Sequence, residues 1–362
     1  MVILAINPGG GSTKVAVFDD TRCVLQENIQ HPATVLARYK LVLDQYRLRK
    51  QTVLEALDRH GFDRASLDAI VTRGGPLMPL RGGVYRVTLR LVSDIRRGKI
   101  QSIHPSLLGP LVSYELSEEL GVPAYFVDPE STDELWDIAR LTGLKGVRRR
   151  ALSHALSCRT VAQLAAAKLK KRYDRSNFVV VHLGTGITVA AHVNGRQVDA
   201  SNANDDGPFS PQRSGTLPLS GLIRLCFSGR YPEREVLDLV QRRGGLISYL
   251  GTDDMREVEK LLARHNPQAE LVYNAMVYQI AREMGACAVT CRGKVDAVVI
   301  TGGLAQSKRL VQDLRKWTKF ISSKVFVFPG EEEMPALATR LMSVLSGRER
   351  ERSYEQEVAV RR

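Results

Sequence analysis

The sequence has no long hydrophobic run and nothing typical of a secretory leader. No apolar stretch in its 362 residues reaches the roughly 18 residues that a membrane-spanning helix needs. The N-terminus lacks a basic segment and reaches its first glycine at Gly9, which predicts a strand that starts at once. We therefore expect a cytoplasmic protein with no membrane partner.

Aromatic residues and cysteines are both scarce. Aromatics make up 6% of the chain, which predicts cores built mainly from aliphatic side chains. The five cysteines are odd in number and scattered, and no further ligands stand at a metal-binding spacing from them. This usage is typical of a reducing compartment. Cys287 and Cys291, four residues apart in an apolar helical stretch, are expected to be buried thiols.

Two common phosphate-binding motifs are absent. Ser12-Thr13-Lys14 has the wrong order and spacing for a P-loop, Gly-x-x-x-x-Gly-Lys-Ser/Thr. Gly184-Thr185-Gly186 is followed by Ile-Thr-Val and therefore lacks the third glycine of the dinucleotide motif Gly-x-Gly-x-x-Gly. P-loop NTPases and dinucleotide enzymes are disfavoured.

Acidic residues are too few to balance the basic ones, which leaves a formal net charge of +13. Such a charge suits an anionic substrate or a nucleic-acid surface. No aromatic residue is interleaved with the basic runs at 148–150 and 168–172, and we therefore favour a basic surface without a nucleic-acid partner. The length of the chain fits two domains.

Two segments, residues 3–20 and 178–195, share one pattern about half the chain apart. Each predicts a buried strand, a glycine-rich turn, a second strand and a tight turn into a third. Each is followed by helical stretches and two short apolar strands. These later strands are 67–71, 124–127, 297–300 and 325–328.

A duplicated α/β domain with a glycine turn in each half predicts a cleft between the halves, because ligands gather at the carboxyl ends of strands. Glycine turns let backbone N–H groups approach a polyanion closely. A third such turn, Thr301-Gly302-Gly303, follows the apolar strand 297–300. Together the three turns indicate a phosphate-bearing ligand.

These turns resemble the three nucleotide-binding segments of the acetate and sugar kinase, Hsc70 and actin superfamily. Longer strings resemble butyrate kinases of the acetokinase family and occur in family order from about residue 3 to residue 345. The strings include Ile6-Asn7-Pro8-Gly9, Arg73-Gly74-Gly75, Val127-Asp128-Pro129, Ser153-His154-Ala155-Leu156, Gly207-Pro208-Phe209-Ser210-Pro211-Gln212-Arg213-Ser214-Gly215, Leu225-Cys226-Phe227-Ser228-Gly229 and Pro329-Gly330-Glu331.

The resemblance implies an α/β fold of duplicated actin-like ATPase (ribonuclease H-like) domains with an interdomain cleft. The expected domains are 1–150, with a C-terminal helix over 335–362 packing back on it, and a nucleotide-binding domain over 151–334. The implied activity is ATP-dependent phosphorylation of a short-chain fatty acid, in which butanoate and ATP give butanoyl phosphate and ADP. Mg²⁺ is expected with ATP, and the chain is expected to form a homodimer or a larger homo-oligomer.

The resemblance also implies roles for four polar side chains. Arg213, in a polar loop, would stabilise charge on the transferring phosphoryl group, for which a planar guanidinium is well suited. His182 would contact the same group. Asp128 would orient the metal or Arg213, although Asp-Pro is also a common turn at the end of a strand. Arg73 is our candidate for binding the substrate carboxylate.

The remaining candidates would hold nucleotide and metal. Those assigned to the phosphates or the nucleotide lie on the glycine turns: Asn7, Gly9, Ser12, Lys14, Gly184, Gly186, Gly302 and Gly303. Asn7 and Glu333 are assigned to the metal side. Turn formation alone would also explain Asn7, and Lys14 could point outward from its strand. His104 and His154 recur in the family but are expected to be structural.

Several positions depart from the family pattern. Gly10 and Gly11 stand where Ser-Thr is usual, and Ser220 stands where Asp is common. These departures keep two alternatives open. The acid could be acetate, propionate or a branched short acid, or the protein could bind ATP without catalysis.

Overall fold

The computed structural model describes residues 1–330 and 333–360 of the chain. Contacts within the chain divide it into two compact units. Unit 1 comprises Met1–Asp133 with Glu332–Arg362, and unit 2 comprises Glu134–Glu331. Among the described residues, no helix is long and apolar enough to cross a membrane.

Unit 1 is a mixed sheet with helices. With elements numbered along the whole chain, its strands are β1 (Val2–Pro8), β2 (Ser12–Asp19), β3 (Arg22–Gln30), β4 (Ala69–Arg73), β5 (Val84–Arg86) and β6 (Ala124–Val127). Its helices are α1 (Ala33–Leu36), α2 (Tyr46–Arg59), α3 (Leu89–Arg96), α4 (Leu108–Leu120), α13 (Glu333–Leu345) and α14 (Tyr354–Val360).

The sheet of unit 1 has the order β3-β2-β1-β4-β6-β5. The meander β1-β2-β3 is antiparallel, whereas β4 and β6 run parallel to β1. Asp20 lies in the left-handed region (φ 50°) at the turn into β3, a conformation that a short polar side chain tolerates. Helix α4 approaches β4 closely, since a Cβ on Gly109 would lie 2.2 Å from Oγ1 of Thr72.

Unit 2 contains the other elements. Its strands are β7 (Asn177–Leu183), β8 (Ile187–Val193), β9 (Arg196–Ala200), β10 (Ala297–Gly302) and β11 (Val325–Pro329). Its helices are α5 (Asp137–Arg140), α6 (Ala155–Lys168), α7 (Leu219–Cys226), α8 (Glu233–Gln241), α9 (Gly245–Leu250), α10 (Met255–Ala263), α11 (Pro267–Thr290) and α12 (Lys308–Thr318).

The sheet of unit 2 has the order β11-β10-β7-β8-β9. Again an antiparallel meander, β7-β8-β9, is extended by two strands parallel to its first member. Asn194 (φ 49°) and Gly195 (φ 78°) form the turn between β8 and β9, which both residue types favour. Unit 2 thus repeats the strand order of unit 1 apart from β5, and the repeat predicted from the two glycine turns is confirmed.

Helix α11 supplies much of the core of unit 2. Asn266 caps its first turn by accepting a 2.9 Å hydrogen bond from the Ala269 amide, and a proline follows at the first helical position. Cys287 lies on its buried face and Cys291 directly follows its last residue, and both thiols are buried, as expected. Burial raises the pKa of the Cys291 thiol to about 11, so this group is a neutral core residue at physiological pH.

The C-terminal segment differs from the single helix expected over 335–362. It forms two helices, α13 and α14, and the first of them already includes Glu333. Gly347 follows the end of α13 in the left-handed conformation (φ 74°), and its amide donates to the carbonyl of Val344. A left-handed glycine at this position commonly ends a helix, which explains the break. Glu331 and Glu332 lie outside the described residues.

Candidate active site

The first glycine turn joins β1 to β2 in unit 1. The Gly9 amide donates a 2.8 Å hydrogen bond to the Ser12 carbonyl and closes the turn. Gly10 and Gly11 are exposed, and a Cβ added to either would meet no atom within 4 Å. The predicted phosphate-binding residues Gly9 and Ser12 therefore flank a turn with open space beside it.

Three predicted residues meet at the ends of neighbouring elements in unit 1. Asn7, near the end of β1, donates from Nδ2 to Oε2 of Glu333 at 2.6 Å. Arg73, which ends the adjacent strand β4, donates from Nη1 to Oε1 of the same carboxylate at 2.8 Å. Lys14 lies opposite Asn7 in the β1–β2 register. The parallel pairing of β1 and β4 brings these side chains together although they are far apart in sequence.

Glu333 and Asn7 are the residues of unit 1 best suited to a divalent metal. Oxygen atoms of carboxylates and amides are the ligands that Mg²⁺ prefers, and both side chains are largely buried. Within residues 1–330 and 333–360, no cluster of three His, Cys, Asp or Glu could hold a metal alone. The pair fits an ion that takes most of its ligands from phosphate groups and water, as Mg²⁺ usually does beside a nucleotide.

A second carboxylate, which the sequence did not reveal, contacts Arg73. Glu130 accepts from Nη2 of Arg73 at 2.9 Å and from the Ser106 hydroxyl at 3.2 Å, with His104 Nδ1 3.5 Å away. The Arg73 guanidinium is therefore held between Glu130 and Glu333. The position of Glu130, two residues after Asp128, gives no indication of this pairing.

Asp128 is buried next to the end of β6 and has contacts within unit 1. Its Oδ1 accepts from the Gly83 amide at 2.7 Å, and its Oδ2 lies 3.3 Å from Nε of Arg340. Arg340, also buried, donates in addition to both oxygens of Glu349. The role expected for Asp128, orienting the metal or Arg213, stays a prediction, and the visible contacts anchor it to α13.

The second glycine turn joins β7 to β8 in unit 2 and carries His182 at its edge. His182 is the penultimate residue of β7 and pairs with Thr301 of β10. A Cβ on Gly184 would lie 3.1 Å from Nε2 of His182, so the imidazole reaches over the turn. His154 stacks on His182 with ring centroids 4.0 Å apart and planes inclined by 12°.

The Arg213 guanidinium packs directly on the same turn. A Cβ on Gly186 would lie 2.2 Å from Nη1 of Arg213, so only glycine leaves room for the guanidinium. Ser210 fixes the Arg213 loop, because its hydroxyl donates to the Thr185 carbonyl at 2.5 Å and accepts from the Arg213 amide at 3.1 Å. Ser210 was missed as a positioning residue, although it lies within the string that resembles butyrate kinases.

The third glycine turn follows β10. Gly302 has φ 96°, and a Cβ there would lie 2.3 Å from the carbonyl oxygen of Leu183. Glycine is therefore required for the end of β10 to approach the end of β7. Gly303 starts a short 3-10 helix with nothing within 4 Å of an added Cβ. Unit 2 thus brings together His182, the second turn and Arg213, with the third turn at the adjacent strand end.

The family model that matches this chain is that of the acetokinase family, over residues 135–320, which is more than half of the sequence. The chain belongs to the acetokinase family. Arg213, His182 and the second and third glycine turns lie within the matched region.

Solved structures resemble this acetokinase-family chain over nearly its whole length. An acetate kinase from Porphyromonas gingivalis has a TM-score of 0.77 and 19% identity and covers 95% of this chain and 99% of its own. A propionate kinase from Francisella tularensis subsp. tularensis SCHU S4 has a TM-score of 0.70 and 17% identity, covering 94% and 98%. An acetate kinase from Entamoeba histolytica has a TM-score of 0.72 and 16% identity, covering 93% and 98%. These similarities confirm the predicted fold class, an α/β fold of actin-like ATPase type.

Proposed function

We propose that this acetokinase-family protein is an ATP-dependent carboxylate kinase that acts on a short-chain fatty acid, with butanoate as the preferred substrate. A carboxylate oxygen of the acid attacks the γ-phosphorus of ATP. The bond from that phosphorus to the β–γ bridging oxygen breaks, and ADP leaves with the electron pair. The products are butanoyl phosphate and ADP, and no proton has to move.

The observation that carries the proposal is the packing of Arg213 on the second glycine turn beside His182. A guanidinium and an imidazole held over a glycine turn are groups that can stabilise charge on a phosphoryl oxygen. Ser210 holds the Arg213 loop to the turn, so the guanidinium is held in advance of binding. Such preorganisation is the main contribution that an enzyme can make to phosphoryl transfer.

The residues of unit 1 support two further roles. Glu333, with Asn7, would hold Mg²⁺, which when bound neutralises negative charge on the phosphates. Arg73 is the candidate for the acid, because its guanidinium matches the geometry of a carboxylate. Glu130 and Glu333 already contact Arg73, so an incoming acid would have to share or displace one of them.

Butanoate is preferred in this proposal because the strings Val127-Asp128-Pro129 and Gly207–Pro211 resemble those of butyrate kinases. Each buried methylene contributes about 0.8 kcal/mol. Two extra methylenes should therefore favour butanoate over acetate by roughly tenfold in kcat/KM.

A hydroxylamine trap tests the proposal, since it converts acyl phosphates to coloured hydroxamates. The protein is incubated with Mg-ATP and each straight-chain acid from C2 to C6, with a reaction lacking acid as the control. We expect hydroxamate from butanoate at the highest kcat/KM. Equal kcat/KM for acetate and butanoate would mean that the protein accepts short-chain acids in general and has no preference for butanoate. No hydroxamate from any acid, with ATP still bound, would contradict kinase activity.

A further inference from the structure

Arg49 is a fully buried arginine on α2 that contacts no carboxylate of the described residues. It donates instead to neutral oxygens. From Nη1 it donates to the Ser12 carbonyl at 2.7 Å and to Thr13 Oγ1 at 3.0 Å. From Nη2 it donates to the Gly10 carbonyl at 3.3 Å and to Oε1 of Gln45 at 2.9 Å. Burial lowers the pKa of Arg49 to about 10, so the guanidinium still carries its charge at neutral pH.

A buried charge without a counter-ion is costly, and folds retain such groups only where hydrogen bonds compensate. Two of the four bonds go to carbonyls of the first glycine turn. The carbonyl between them, that of Gly11, accepts a 2.8 Å hydrogen bond from the His31 amide. All three carbonyls from Gly10 to Ser12 are therefore held by partners.

Fixing a carbonyl also fixes the next amide, because a trans peptide is planar and its C=O and N–H point in opposite directions. The Gly11 amide must point away from the Gly10 carbonyl, and the Ser12 amide away from the Gly11 carbonyl. Outside the strand ladders, neither the Gly11 amide nor the Ser12 amide donates a hydrogen bond to a described residue, and the space beside Gly10 and Gly11 is open. Glycine has the greatest backbone freedom, so this conformation depends on the bonds to its carbonyls.

We propose that Arg49 is a positioning residue for the phosphates of ATP. It holds the turn from behind, so that the amides of Gly11 and Ser12 are presented to phosphate oxygens. Its buried positive charge lies close behind the same turn and favours the anion further. The inference rests on the proposed function only in taking ATP as the ligand, since Arg49 itself would not touch the nucleotide.

The test compares binding of Mg-ATP and of adenosine to the intact chain by calorimetry, in wild type and Arg49→Lys. Lysine keeps the positive charge, but its ammonium group lacks the planar arrangement of N–H donors with which a guanidinium binds two carbonyls at once. We expect ATP to bind at least tenfold more weakly and adenosine, which has no phosphates, to bind unchanged. Thr52→Val is the matched control, because Thr52 is a buried polar residue one turn further along α2 whose hydroxyl donates to the Leu48 carbonyl.

Gln45→Met provides a second variant in case Arg49→Lys does not fold. It removes the oxygen that holds Nη2 while leaving the arginine in place. We expect a smaller loss of ATP affinity, about threefold, again with adenosine unchanged. Unchanged ATP affinity in both variants would overturn the inference. Equal losses for ATP and adenosine would also overturn it, because a general defect in folding weakens both.

These binding measurements require no acyl transfer. A wild-type protein that binds ATP but forms no acyl phosphate would therefore contradict the proposed function and leave the role of Arg49 open to the same test. A wild type that forms acyl phosphate, with variants that bind ATP normally, would overturn the role of Arg49 alone.

Discussion

The Arg213 guanidinium lies against Gly186, and Ser210 holds the loop that carries Arg213. Removing the Arg213 side chain is therefore a local change. We expect Arg213→Ala to lower kcat by roughly two orders of magnitude with little change in the KM for ATP, because charge that develops in the transition state loses its partner. Steady-state kinetics with butanoate measures this. Arg224→Ala, which removes an exposed arginine on α7, is the control. An unchanged kcat would show that the Arg213 loop is only a connector.

Glu130 competes with the substrate for Arg73 if the acid binds there. We expect Glu130→Gln to lower the KM for butanoate by about fivefold, since removing a like charge near a partly exposed site is worth roughly 1 kcal/mol. The KM for ATP should not change. Glu118→Gln, on the exposed side of α4, is the matched control. A higher KM for butanoate in Glu130→Gln would mean that Glu130 helps to orient Arg73 and does not compete with the acid.

At the scale of elements, the strands could be predicted from the sequence and many contacts could not. Runs such as Phe178–Val181 and Ala124–Val127 are apolar and bounded by turn residues, and both form buried strands. The pairing of Arg73 with Glu130 joins residues 57 positions apart, and that of Arg49 with Ser12 joins residues 37 apart. Such pairs depend on the order of strands in the sheet and on how α2 packs, which no local pattern encodes.

The residue types in the sequence predicted the three glycine turns. Which atoms lie against each glycine depends on how the strands pack. A Cβ on Gly186 would displace the Arg213 guanidinium, and Gly302 must be glycine because the Leu183 backbone approaches it. Both contacts are visible only once β7, β8 and β10 are adjacent. The break between α13 and α14 had a local signal in Gly347, whose left-handed conformation ends the first helix. The resemblance implied one helix over 335–362 and took no account of this glycine.

Strand β8 contains a fully buried histidine that predicts how stability changes with pH. His192 interacts through Nδ1 with the Tyr173 hydroxyl at 2.7 Å, and burial lowers its pKa to about 3. The folded state therefore binds fewer protons than the unfolded state between about pH 3 and pH 6.5. This contribution to stability is complete above pH 6.5 and is lost as the pH falls towards 3.

The comparison is between the free energies of unfolding of the wild type and of His192→Asn as the pH falls from 6.5 to 5. We expect that of the wild type to decrease more steeply, by up to about 1.4 kcal/mol per pH unit relative to the variant. The asparagine amide can donate or accept a hydrogen bond with the Tyr173 hydroxyl but does not titrate. Urea denaturation at several pH values measures the difference. His265→Asn, at a highly exposed histidine, is the control, and an identical pH dependence in wild type and His192→Asn would contradict the prediction.

At the scale of the whole molecule, the net charge of +13 suits the anionic ligands of the proposed reaction. ATP and a fatty acid are both anions, and a positive protein attracts them at a distance. Many of the basic side chains pair with carboxylates at the surface, such as Arg172 with Asp174, and such exposed pairs contribute little to stability. We therefore relate the excess positive charge to the attraction of anionic ligands and not to the stability of the fold.

In the proposed reaction, a carboxylate oxygen of butanoate becomes bonded to the γ-phosphorus of ATP. Phosphorus NMR with Mg-ATP and butanoate labelled with ¹⁸O in its carboxylate tests this bond directly. We predict an acyl phosphate resonance that appears as ADP forms and that is shifted relative to the unlabelled reaction, because one oxygen on phosphorus comes from the acid. Release of ADP with unlabelled inorganic phosphate, and no acyl phosphate resonance, would contradict it.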